Sequence, residues 1–499
     1  GTVTIDDGAG LDVYNRTISN SLIINGAYTS SYGNLFSSNT GTYTGTILMN
    51  AAASIGGNGT LTISSVIDDG GNNYTLTKIG TGTVYLTATN TYGGGTIIED
   101  GLLGIANDDN LGDIPGSTDA DHIQLGTSNA TLFATADVTI NTARGITLLA
   151  DGNALGADSG DQLTYNGIIT GDYNLTIARN ASGTVVLGGT NTYSGYTNVS
   201  SGTLKISADA NLGTAPAEAT ANHLYLSGGH LHTTATMTLN SNRGMHLNTS
   251  WSYLEVADTT TLTYTGIITG TSTSYDLVLN NSGTTGTLVL GGTNTYVGST
   301  KIYAGTLSIS DELNLGPTSC NNTDCIDLYN AGVLQITDDV TFGNNQGIKI
   351  SNSDNTKILI ATGKTLTLNH EFYNNGNGAY VLTINDGSHD GKLHMTTSAV
   401  APSNSAYFSF TDSTNGGFVV ANGTLQLDDY RNLTYDSSYT SYLTMASGST
   451  LILNETTQQQ KLYLILQGAT VELLQTQTWT GNVTLSGTNT FNVADGKTW

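Results

Sequence analysis

One stretch, written three times, constrains this chain more than any other feature. It runs GTGTVYLTATNTYGGGTIIEDGLLGIANDDNLG from Gly80 to Gly112. It returns as ASGTVVLGGTNTYSGYTNVSSGTLKISADANLG from Ala181 to Gly213, and again as TTGTLVLGGTNTYVGSTKIYAGTLSISDELNLG from Thr284 to Gly316. Each copy reads as strand, Asn-Thr-Tyr turn, strand, glycine turn, strand and a closing Asn-Leu-Gly. The central asparagines Asn90, Asn191 and Asn294 stand 101 and 103 residues apart. Self-similarity at a fixed step is the mark of a chain that stacks units along one axis, each unit touching only its neighbours.

The stretch belongs to a larger module. The segment opening at Leu61 is echoed from Leu163 and Leu262, and more weakly from Leu366. A further landmark, Arg144-Gly145-Ile146, recurs as Arg243-Gly244-Met245 and as Gln346-Gly347-Ile348. These landmarks divide one continuous β-helix, 1–499, into atypical N-terminal capping coils (1–60), repeat modules at 61–162, 163–261 and 262–365, and a diverged C-terminal module (366–499). Short apolar runs separated by Thr, Ser, Asn and Gly read as strands, and no amphipathic helix is evident. Val84 and Leu86, Val185 and Leu187, and Leu288 and Leu290 take inward positions. The expected fold is all-β, a right-handed parallel β-helix forming an elongated rod. At roughly five coils of about 20 residues per module and about 4.8 Å per coil, about 25 coils make a rod on the order of 120 Å long.

Charge narrows the partners. The chain carries 39 acidic and 14 basic residues, for a net charge of −25. That balance argues against nucleic acid and against an anionic membrane surface, both of which need clustered Lys and Arg. No apolar run is long enough to insert into a bilayer as a helix. Gly1 opens directly into the strand-like GTVTI, which reads as a processed or trimmed chain. The two cysteines, Cys320 and Cys325, lie in the loop CNNTDC. A local disulfide in an oxidising compartment suits that spacing; a metal site would need further His or Cys nearby.

At GTNTYxGxT the pattern becomes specific. Gly189-Thr190-Asn191-Thr192-Tyr193 with Gly195, Thr197 and Gly202-Thr203-Leu204 closely resembles the autotransporter-associated β-strand repeat, also called the passenger-associated transport repeat. So does Gly292-Thr293-Asn294-Thr295-Tyr296 with Gly298, Thr300 and Gly305-Thr306-Leu307. The first copy departs from it, with Ala88-Thr89 before Asn90 and Gly101-Leu102-Leu103 at its end. The resemblance implies a right-handed β-helix passenger on a bacterial surface or in secreted material, and a part in export in which C-terminal coils fold first. It implies no catalytic activity. Autotransporters also carry a C-terminal outer-membrane barrel, and no such alternating series is evident after residue 385, so the barrel was removed or the repeat serves a different secreted protein.

Candidate chemistry is sparse. Acidic pairs occur at Asp6-Asp7, Asp68-Asp69, Asp108-Asp109, Asp338-Asp339 and Asp428-Asp429, mostly beside Gly or Asn, where Asp forms turns. His223, His230, His232 and His246 fall in one module, with His230 and His232 on one strand face. DDGAGLD (6–12) and DDGGNN (68–73) are acidic enough for calcium, but neither matches the EF-hand spacing or the Gly-rich nonapeptide calcium repeat. No cofactor or metal is assigned. Tyr430, Tyr435, Tyr439 and Tyr442 form an aromatic cluster that suits glycan or protein contact as well as ordinary strand packing. The motif residues Asn90, Tyr92, Asn191, Tyr193, Asn294 and Tyr296 are read as structural turn residues, with no ligand required.

The expected function is a non-enzymatic extracellular structural or adhesive β-helix. Its partners would be glycans or proteins of a host or environment, or itself in a head-to-tail homopolymer. End-to-end contact would involve Gly1, Val3 and Ile5 at one end and Phe491, Val493 and Trp499 at the other. The alternative is a polysaccharide-binding or polysaccharide-degrading β-helix, in which adjacent coils would bring carboxylates together.

Overall fold

Thr-x-Leu-x-Ile runs bounded by glycine turns suit short strands, and short strands are what they form. A computed structural model of the chain describes all residues except 27–31, 127–128, 318–324, 344–345, 352–354, 370–371, 375–380, 397–416, 429–440, 455–461, 477–481 and 499. Among the described residues every strand pairing is parallel, and the one antiparallel contact is an isolated bridge between Asp386 and His389. Among the described residues helix is confined to three single 3-10 turns, Asp108–Leu111, Asp209–Leu212 and Glu312–Leu315. The fold is a parallel β-solenoid. The described residues separate into two compact units, Gly1–His246 and Leu247–Trp499.

In the first unit the chain visits three faces in turn. One face begins with Val3–Ile5, Leu22–Ile24, Ile47–Met49 and Ile67–Asp68, a second runs from Leu11–Asp12 to Ile169–Thr170, and a third starts at Thr17–Ile18. Register on the third face stacks Leu61, Val84, Leu103, Leu132, Leu155, Ile177, Val199 and Leu226 into one ladder. All eight are buried. The second unit holds an equivalent ladder from Leu262 through Leu288, Leu307, Leu334, Ile358, Ile384, Val420, Met445 and Leu466 to Leu485. Each aliphatic side chain packs on its like above and below, while alternate residues point outward. The inward assignment of Val84, Leu86, Val185, Leu187, Leu288 and Leu290 agrees with their burial.

The coils differ from the expected uniform 20 residues. In the first unit the step ranges from 19 residues (Thr83 to Leu102) to 29 (Leu102 to Thr131). In the second it ranges from 19 (Leu288 to Leu307) to 36 (Ile384 to Val420). The five-coil division of the module is therefore corrected. From Thr83–Leu86 to its counterpart Thr184–Leu187 the chain makes four coils and one further face, so equivalent strands of the first two copies lie on different faces. The loops set this, because each may lengthen at small entropic cost while the inward ladder stays in register.

Candidate functional site

The Asn-Thr-Tyr segment forms no strand. It takes the place of one, and the Asn-Leu-Gly turn takes the next place above it. In the first copy Thr91 N–H donates to Ile67 O on the layer below, and Asn90 N–H donates to Asp109 O in the 3-10 turn above. The Asn90 side chain completes the joint: its Oδ1 accepts from Ile67 N–H at 2.9 Å and its Nδ2 donates to Asn110 O at 2.6 Å. Asn110 answers it, with Oδ1 accepting from the amides of Ala106 and Asn107 and Nδ2 donating to Ala88 O.

The second copy repeats this with Asn191 and Asn211, and the third with Asn294 and Asn314. All six asparagines are buried. Each carries one acceptor and two donors into backbone that a missing strand would leave unpaired. Tyr92, Tyr193 and Tyr296 are also buried, their hydroxyls bonded to Thr96, Thr197 and Thr300 at 2.8, 2.6 and 2.5 Å. Burial pushes the Tyr193 hydroxyl up to about 12, against smaller lowering by the Thr197 bond.

The second asparagines were not singled out from the sequence, although each sits in the closing Asn-Leu-Gly. The glycine of that tripeptide has φ of +81°, +76° and +85° at Gly112, Gly213 and Gly316. A Cβ there would stand 2.3–2.4 Å from the carbonyl oxygen of Tyr92, Tyr193 or Tyr296.

A second missed element is the arginine of the Arg-Gly-Ile landmark. Arg144 and Arg243 are fully buried. Arg144 donates to the carbonyls of Leu111, Gly112 and Asp113, and its Nε meets Asp108 Oδ1 at 3.1 Å. Arg243 donates to Leu212 O and Gly213 O and pairs with Asp209 at 3.1 Å. Each guanidinium also donates to a buried histidine, Arg144 to His122 Nε2 at 2.8 Å and Arg243 to His223 Nδ1 at 3.1 Å. Since arginine has only donors, the facing ring nitrogen is unprotonated. Desolvation first, and the adjacent guanidinium second, hold both histidines below the usual imidazole value. In the third copy Gln346 stands at this position, with a 3.5 Å contact to Glu312 O. His230 and His232 lie in the strand His230–Thr233, and no group of three or more His, Cys, Asp or Glu suited to a metal occurs among the described residues.

The described members of the acidic pairs sit in turns and latches, Asp429 lying outside the described residues. Asp69 is buried and accepts from the amides of Gly71, Tyr74 and Gly93. Those backbone bonds hold its carboxyl below the usual value although burial, the largest single influence, opposes them. Asp338 pairs with Lys364, Asp339 accepts from Thr365 N–H, and Asp428 accepts from His394, Gln426 and Asn454. Among the described residues Asp386, Ser388 and His389 form a Ser-His-Asp grouping. There Ser388 Oγ bonds Asp386 itself at 2.9 Å, and the far ring nitrogen of His389 faces Gln335. A nucleophilic triad needs the serine on the nitrogen opposite the carboxylate, so this grouping is a turn, not a relay.

Of the end-contact residues, Val3 and Ile5 pair with Leu22 and Ile24, Ile5 is buried, and Gly1 O accepts from Asn20. Phe491 and Val493 pair with Val471 and Leu473 but are 41% and 43% exposed. Trp499 lies outside the described residues. The GTNTF echo at 487–491 does not repeat the motif's geometry: Thr490–Val493 is a strand, Asn489 Oδ1 accepts from Gly468 and Ala469, and Phe491 continues the ladder over Val471 while 41% exposed, where Tyr92 is enclosed. Cys325 is buried and disulfide-bonded, while Cys320, the chain's other cysteine, lies outside the described residues. Tyr430, Tyr435 and Tyr439 also lie outside them; Tyr442 packs edge-on against Tyr463 at 5.2 Å.

The passenger-associated-transport-repeat model matches residues 76–105, 182–206 and 285–309, the three segments that carry the asparagine joints. Over 261 residues, 50% of this chain, the sequence is 35% identical to a protein described as adhesin BmaC autotransporter from Brucella suis biovar 1 (strain 1330). The chain spans about 7% of that relative's length. No solved structure matches the chain significantly.

Proposed function

We propose that this parallel β-solenoid, which carries three segments matching the passenger-associated transport repeat, is a non-enzymatic adhesive segment of the autotransporter-passenger type, displayed outside the cell. One observation carries the reading. The repeat's polar residues bond inward to backbone, so the motif serves the stack and leaves the outward positions of the faces free to vary for contact. The similarity to an adhesin autotransporter supports the same reading. The carboxylates of Asp68, Asp69, Asp108, Asp338, Asp339 and Asp428 are engaged in turn bonds and ion pairs, which favours adhesion over polysaccharide cleavage.

The test uses beads coated with the 499-residue chain, applied to animal cells and to immobilised polysaccharides. Attachment that disappears on unfolding the chain supports adhesion. No attachment to any surface, or release of oligosaccharides from a polysaccharide panel, overturns it.

End-to-end joining is a finer reading within this one. Val483, Leu485, Phe491 and Val493 continue buried ladders yet are 37–57% exposed. A second copy would cover them, as would further coils where the chain runs on. Fibres in negative-stain images of the purified chain, lost on Leu485→Lys, would support joining; discrete particles at every concentration would refute it.

A further inference from the structure

One outward face of the second unit holds a cavity of about 390 Å³. Its floor is built by parallel strands that begin at Trp251, Asp276, Thr300, Ile326 and Ile348. Register sets Trp251 beside Asp276, Lys301 beside Asp327, and Asp327 beside Lys349. Charges of alternating sign therefore climb the face. Lys301 Nζ meets Asp276 Oδ2 at 2.7 Å, and Lys349 Nζ lies 3.5 Å from Asp327 Oδ2. These four side chains are largely enclosed, the lysines 20% and 15% exposed and the aspartates 10% and 4%.

Aromatic rings border them. Trp251 is 46% exposed, and Lys301 Nζ sits 5.5 Å from its ring centre. Across the cavity Tyr329 stacks on Tyr303, with ring centres 4.3 Å apart and planes 4° from parallel. Ser250, Thr273, Ser274 and Ser299 complete the lining.

We propose that this cavity binds a neutral sugar residue of a glycan, with the Trp251 indole as its stacking platform. A pyranose presents an apolar C–H face and a girdle of hydroxyls that both donate and accept. The exposed indole matches the first, because a large ring buries apolar area at low entropic cost. The mosaic of ammonium donors and carboxylate acceptors matches the second, since charge-assisted hydrogen bonds are the stronger ones.

Charge decides against other ligands. Two lysines and two aspartates cancel, so an anion or a cation gains little there. The chain has only 14 basic residues in 499, yet two of them line this one cavity. Its walls are too polar for a lipid. Its volume lies near the lower end of the range for small-ligand sites, roughly 300–1,000 Å³, which admits a terminal or branch sugar and not a protein element.

This proposal rests on the adhesive reading and gives it a ligand class. The experiment applies the full chain to an array of neutral and acidic glycans, followed by titration of each hit by isothermal titration calorimetry. Trp251→Ala, Trp251→Tyr and, as a control, Tyr14→Ala are taken through the same steps, with thermal unfolding showing that each folds. The expected result is binding to neutral glycans only, weakened at least tenfold in Trp251→Ala, partly restored in Trp251→Tyr and unchanged in Tyr14→Ala. Absence of neutral-glycan binding, preference for acidic glycans, or undiminished binding by Trp251→Ala overturns the proposal. The cell-attachment assay separates the two claims. Attachment that persists in Trp251→Ala without any glycan binding keeps adhesion and removes the pocket; glycan binding without attachment does the reverse.

Discussion

Asn191 offers the sharpest test of the repeat's role. Its Oδ1 accepts from Ile169 N–H at 2.8 Å and its Nδ2 donates to Asn211 O at 2.6 Å, and it is 4% exposed. Asn191→Ala removes both partners and leaves a buried N–H and a buried C=O unpaired. At about 1–3 kcal/mol for each orphaned group, the loss is about 2–6 kcal/mol. Asn191→Asp keeps the acceptor and loses the donor, so about half that loss is expected, plus repulsion between its carboxylate and Asn211 O. Thr190→Ala, two atoms of an exposed side chain in the same motif, should stay within about 0.5 kcal/mol.

A solenoid need not unfold in one step, so a local readout is preferable to a single midpoint. Hydrogen exchange of peptides covering Ile169 and residues 207–212 reports the joint directly. The expected acceleration is on the order of 30-fold to more than a thousand-fold, since about 1.4 kcal/mol corresponds to a tenfold change. Exchange in Asn191→Ala no faster than in Thr190→Ala would refute the view that the asparagine stands in for a missing strand.

Other expectations follow from the same geometry. Leu307→Ala, in the middle of the long ladder of the second unit, should cost about 2–5 kcal/mol, whereas Leu485→Ala, 57% exposed on the same ladder, should cost about 1 kcal/mol or less by urea denaturation. Gly213→Ala meets both φ of +76° and a carbonyl oxygen 2.4 Å from the new Cβ; a loss of at least about 1–3 kcal/mol is expected, against little change for Gly116→Ala, where nothing lies within 4 Å and φ is not positive. His122 and His223 have folded pKa values below the ordinary 6.5. The unfolded chain then binds protons first, so their contribution is present above about pH 6.5 and is lost as pH falls through that value toward the folded pKa. Protection factors of amides near residues 209–213, in which the intrinsic slowing of exchange at lower pH is divided out, should therefore fall between neutral and mildly acidic pH, and the double change His122→Gln and His223→Gln should flatten that dependence.

Much of the fold was legible because stacked parallel strands impose a local rule. Alternation places Val84 and Leu86 inward whatever the rest of the chain does, and the glycine turns between short runs exclude long helices. The repeated Asn-Thr-Tyr likewise announced a shared local geometry. Its partners were less visible. Asn110, Asn211 and Asn314 lie 20 residues beyond the first asparagines, one coil above, and the sequence does not state coil length. Arg144 reaches Asp108 across 36 residues, a pairing that follows only from the way two coils and a 3-10 turn stack.

The sequence by itself determined that this is an all-β, parallel, repeat-built stack with inward aliphatic ladders and structural turn motifs, because periodicity and turn chemistry act over a few residues. Tertiary structure alone decided which face each element occupies. A module of 101 residues is four coils and a further face, so its second copy begins on a different side from the first. For the same reason Trp251, Asp276, Lys301, Asp327 and Lys349 share one cavity although they stand 25, 25, 26 and 22 residues apart. Loop lengths fix those steps, and loops can vary without disturbing the ladder, so neither the face nor the cavity leaves a periodic trace in the sequence.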